Sequence, residues 1–70
     1  MTYTKIKETH TIHTYIFEAN EGEQLTNEAI AKHLNADNLA PFGFYVVYNF
    51  NGKAEVKAYV DWLYMCFFNY

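Results

Sequence analysis

Seventy residues with eight acidic and five basic side chains carry a net charge of −3, and half of the chain is hydrophobic, a fifth of it aromatic. That length holds a single domain, 1–70, with one layer of core, and so apolar a composition excludes a disordered chain. The acidic balance, with basic residues scattered instead of clustered, argues against direct nucleic-acid binding, which depends on cations neutralising phosphates.

Residues 2–18 alternate loosely and are rich in threonine, isoleucine, tyrosine and phenylalanine, residue types that favour a pleated strand. Ile6, Ile12 and Ile16 share one parity, whereas Tyr15 and Phe17 take the other. A single strict register therefore leaves apolar groups facing out, so either a bulge interrupts this strand or its second half is covered on both faces. Within it, "ETHTIHTY" raises the question of a metal or catalytic site at His10 and His13. Side chains three apart on a strand point to opposite faces, and no cysteine or acid nearby has zinc-like spacing, so no metal ligands are assigned. His33 reads as a residue at the edge of a helix.

The polar stretch "ANEGEQ" over 19–24 reads as a loop. With Glu18, Glu21 and Glu23 close together and Glu28 just beyond, it offers an acidic patch that could imitate the phosphates of a nucleic acid. The plainer reading is a solvated loop leading into a helix N-terminus, where acids are favourable anyway.

The helix is "LTNEAIAKHLNADN", residues 25–38. Thr26 is the expected N-cap, Glu28 sits in the first turn, Leu25 and Ile30 have the spacing of a hydrophobic staple, and Ile30 with Leu34 forms the apolar face. About three turns cannot stand alone, so this helix must lie on a sheet. The stretch also resembles the first helix of a helix-turn-helix, but "LAPFGFYVVY" follows where the recognition helix should be.

From Lys53 to Trp62 polar and apolar residues alternate, with Tyr59 counted as polar, and Asn51-Gly52 marks a hairpin turn. A two-residue loop pairs Tyr48 with Glu55 and Val46 with Lys57, mixing apolar and charged residues on one face. A three-residue loop with Gly52 in a bulge pairs Asn49 with Lys53, Tyr48 with Ala54, Val46 with Val56, Phe44 with Ala58 and Phe42 with Val60. Large then opposes small, and the bulged hairpin is the expected form.

Beyond Trp62, "LYMCFF" offers apolar groups to both faces. A strand of that kind needs cover on both faces, and one short helix cannot supply it. Trp62, Tyr64, Phe67 and Tyr70 are therefore the expected partner-binding residues, tyrosine and tryptophan being the usual anchors of interfaces. Cys66 is the only cysteine; with no internal disulfide to form, a reducing, cytoplasmic setting is expected, and its apolar surroundings mark it as inert. No signal peptide is legible at the N-terminus, and the longest apolar run is too short to span a membrane. Serine is absent and the three glycines are scattered, so neither a serine nucleophile nor a phosphate loop is present.

The expected fold is α+β, in β-α-β-β order: a three-stranded, mainly antiparallel sheet with one short helix packed on a face, the 2–18 strand lying beside the C-terminal strand. No catalytic residue and no cofactor is assigned. The expected function is that of a small non-catalytic protein-binding module, homodimeric, of the kind a phage or mobile element uses to inhibit a host protein, with nucleic-acid mimicry as one variant. The competing reading is a small-ligand or cofactor carrier at an oligomer interface.

Overall fold

The structure is a computed structural model that describes residues 1–61. Its elements are β1 (Thr2–Glu8), β2 (Ile12–Glu18), α1 (Asn27–Ala36), β3 (Phe44–Phe50) and β4 (Lys53–Tyr59). The strands form one antiparallel sheet in the order β1-β2-β4-β3. The α+β class is as expected and β2 does lie beside β4, but among the described residues the strands number four and the order is β-β-α-β-β.

The extra strand comes from a reversal inside the segment read as continuous. At Thr9 the backbone N–H donates to the Ile12 carbonyl at 2.9 Å and the hydroxyl donates to the same oxygen at 2.8 Å. Ile12 N–H returns a bond to the Thr9 hydroxyl at 3.0 Å. One threonine thus closes the turn, a local side-chain-to-backbone device of the kind that competes with an extended ladder. The turn takes Ile6 out of that strand, but β2 keeps apolar side chains on both faces. Tyr15 and Phe17 face the core, Ile12 and Ile16 lie on the opposite face, and Ile6 is the unpaired residue of a bulge between Lys5 and Lys7.

The second hairpin also corrects the expected register. Asn51 and Gly52 both have positive φ, 53° and 75°, which is the two-residue turn favoured by the twist of paired strands. Phe50 pairs with Lys53, Asn49 with Ala54 and Tyr48 with Glu55, in place of the Asn49–Lys53 and Tyr48–Ala54 pairs expected from a three-residue loop. The bulge lies farther along, at Val47, after which Val46 pairs with Val56 and Phe44 with Ala58 as expected. Moving the extra residue into the strand leaves the tight turn intact and still places the apolar pairs on the core face.

Three rows of side chains cross the helix-covered face: Tyr3–Phe17–Ala54–Asn49, Lys5–Tyr15–Val56–Val46, and Glu8–His13–Ala58–Phe44. Ala54, Val56 and Ala58 are fully buried small residues on the central strand. Above them Ile30 and Leu34 of α1 reach complete burial in one cluster with Tyr15 and Phe17. The helix begins as expected, with Thr26 Oγ1 accepting from Ala29 N–H at 3.1 Å. It ends at Asp37 with Asn38 at φ 52°. Leu39 N–H then donates to the Leu34 carbonyl at 2.9 Å and Asn38 N–H to that of Asn35 at 3.2 Å, the paired bonds of a left-handed helix stop.

Candidate functional site

The three histidines do not converge; each has its own carboxylate. His10 Nε2, in the β1–β2 turn, lies 3.3 Å from Asp61, and His13 Nε2, on β2, lies 3.4 Å from Glu8. His33 Nε2 is buried 3.3 Å from Asp37 without making a hydrogen bond. Its ring packs edge-on against Tyr3 and Phe17, with centroids 5.0 and 5.8 Å away, so it belongs to the helix–sheet junction. Among the described residues no group of three or more histidine, cysteine, aspartate or glutamate side chains could hold a metal ion.

The acidic stretch is partly engaged in local structure. Glu23 Oε1 lies 2.7 Å from the Met1 amino group and accepts from Asn20 N–H at 2.9 Å. The bond to the amino group, and then that from Asn20, hold the Glu23 carboxyl below the usual glutamate range. Glu28 occupies the first turn of α1, and Glu18 ends β2 across from Thr2 and Lys53. Glu21 is exposed in the loop.

The face of the sheet turned away from α1 is different in kind. Its rows are Thr2–Glu18–Lys53–Phe50, Thr4–Ile16–Glu55–Tyr48 and Lys7–Thr14–Lys57–Tyr45, with Ile12 beside Tyr59. Hydroxyl and charged side chains lie toward β1, and aromatic ones gather toward β3. Lys57 Nζ donates to Thr14 Oγ1 at 3.1 Å, and the Tyr45 and Tyr59 rings are 5.9 Å apart. Among the described residues the one helix lies on the other face. Tyr45, Val47 and Tyr48 are exposed, and Phe50 is 71% exposed.

The two edges of the sheet contrast in the same way. β1 carries Lys5, Lys7, Glu8 and the Ile6 bulge, the combination that discourages another strand from pairing. β3 reads FYVVYNF, without a charge or a proline. Apart from the bulge at Val47, nothing in its sequence guards it.

Trp62, Tyr64, Phe67 and Tyr70, the partner-binding residues expected from the sequence, lie outside the described residues, as does Cys66. The described residues contribute others: Tyr45, Val47, Tyr48 and Phe50. Their signal in the sequence is an uncharged heptad next to a strand of alternating charge, of which the expected register places only Phe44, Val46 and Tyr48 in apolar pairs. No helix among the described residues is long and apolar enough to cross a membrane. Comparison with family models, with curated proteins and with solved structures found no match to this chain.

Proposed function

We propose that this chain is a small non-catalytic protein-binding module, in which the aromatic side of the sheet face turned away from α1 meets a partner protein and a second copy of the chain takes up part of the apolar surface. The observation that carries this reading is the exposure of Tyr45, Val47, Tyr48 and Phe50 side by side on one strand. Exposed aromatic clusters rimmed by polar groups are the usual centres of protein interfaces, and here Lys53, Glu55 and Lys57 on β4 supply the rim. Acidic mimicry of a nucleic acid is the weaker variant, because Glu23 is already held by Met1 and Asn20.

The test is an affinity capture from the native host, run in parallel with the intact chain and a Tyr48→Arg/Phe50→Arg variant whose circular dichroism matches it. The expected result is a protein retained by the first and lost by the second, with affinity down at least about thirtyfold, the scale of an interface hot spot. Equal retention by both, or a purified chain that carries a bound chromophore and no protein, overturns the reading.

A further inference from the structure

We propose that the second copy joins edge to edge at β3, in antiparallel register about a two-fold axis through Tyr45, so that two four-stranded sheets become one. This rests on the protein-binding reading and specifies its homodimeric part.

The backbone selects the register. A two-residue turn makes Phe50 and Lys53 a hydrogen-bonded pair, and hydrogen-bonded pairs alternate with open ones along an antiparallel ladder. Tyr48–Glu55 and Tyr45–Lys57 are then bonded, which agrees with the Tyr59 N–H donating to the Gly43 carbonyl at 2.8 Å one step farther on. Phe44, Val46 and Asn49 turn their own N–H and C=O groups away from β4. Between Phe44 and Val46 the step is two residues, as a further strand requires; from Val46 to Asn49 the Val47 bulge makes it three. The regular stretch is therefore Phe44 to Val46, symmetric about Tyr45.

That symmetry is why a second copy fits. Rotation about Tyr45 places Phe44 against Val46 of the second copy, and the reverse, and each pair exchanges both of its backbone bonds. An aromatic ring meets a β-branched side chain twice on the helix-covered face, a favourable cross-strand pairing. Tyr45 meets its own counterpart on the other face.

Charge does not oppose the arrangement. No charged residue occurs from Leu39 to Asn51. The nearest cation, Lys57 on β4, would lie three strand spacings from its counterpart, about 14 Å, beyond the Debye length of about 8 Å at physiological salt. The guarded β1 edge offers no comparable stretch.

A register-specific cross-link tests this. Tyr45→Cys in a Cys66→Ser background puts one thiol on the axis, where opposed Cα atoms of an open pair lie about 4.5 Å apart, inside the span of a disulfide. Mild oxidation should convert most of that variant to covalent dimer, while Tyr48→Cys in the same background stays mainly monomeric. In the unmodified chain, amide exchange at Phe44 and Val46 should slow severalfold, up to about tenfold, over a roughly hundredfold rise in concentration, as mass action requires of a dimer. Equal cross-linking at both positions, or no cross-link from a folded Tyr45→Cys variant, overturns the proposal. So does protection at Phe44 and Val46 that ignores concentration, which would mean that the edge is covered within one chain or not at all. A monomeric chain that still binds its partner in the capture experiment would sink only the edge-to-edge pairing, whereas loss of capture selectivity would sink the wider reading.

Discussion

The side-chain amide of Asn49 donates to the backbone carbonyl of Leu25 at 2.8 Å and to the side-chain oxygen of Asn27 at 3.0 Å. One residue of β3 thereby ties the sheet to the entrance of α1. The Val47 bulge makes this contact possible, because it shifts the strand by one position and brings Asn49 onto the helix-covered face opposite Ala54. Asn49→Ala removes both bonds while leaving their acceptors within reach of water. The expected loss is about 1 kcal/mol, the ordinary net worth of such bonds, read as a lower urea midpoint at unchanged slope.

Two phenylalanines separate folding from binding. Phe17 is fully buried, stacked on Tyr3 with ring centroids 5.3 Å apart, whereas Phe50 is largely exposed. Phe17→Ala should cost about 3–5 kcal/mol, a large part of the stability available to a domain of this size, so little folded protein should remain near 37 °C. Phe50→Ala should change stability by no more than about 0.5 kcal/mol and yet weaken partner binding. Thermal unfolding of the two variants side by side checks the contrast.

Much of the core could be read from the sequence, because burial leaves a period. Ala54, Val56 and Ala58 alternate with charged residues, and Ile30 with Leu34 marks one helix face, so these residues declare themselves. The Thr9 turn declared nothing. It contains no glycine or proline and reverses the chain through one hydroxyl, in residues that otherwise favour strands. The position of the second bulge was hidden for a related reason. Both registers of the β3–β4 hairpin occur, one on each side of Val47, whereas alternation along β4 alone is the same for either. The exposed aromatic group on β3 was masked by its own hydrophobicity: what looks like core in sequence becomes surface once α1 is seen to cover only one face.

The Thr26 cap is a local feature whose removal should act locally. Its hydroxyl satisfies Ala29 N–H, one of the donors that a helix start leaves without an intrahelical partner. Thr26→Ala should cost about 1 kcal/mol and Thr26→Asp very little, since aspartate accepts the same bond and suits the positive end of the helix. Amide exchange should then quicken over the first turn of α1 and stay slow on β4, whose ladder does not depend on the cap.

Lys5 and Glu8 supply a test in pH. Their side chains are hydrogen-bonded across the Ile6 bulge. That bond, reinforced by charge, lowers the Glu8 carboxyl below its ordinary value, with a smaller contribution from His13, and raises the Lys5 ammonium. A depressed carboxyl contributes stability above its unfolded pKa, near 4.3, and loses it as pH falls through the lower folded value. A raised ammonium contributes below its unfolded pKa, near 10.4, and loses it as pH rises through the higher folded value. A double-mutant cycle with Lys5→Met and Glu8→Gln should accordingly give a small coupling that is flat between about pH 5 and pH 9, fades at both ends, and shrinks with added salt, because both side chains are solvent-exposed.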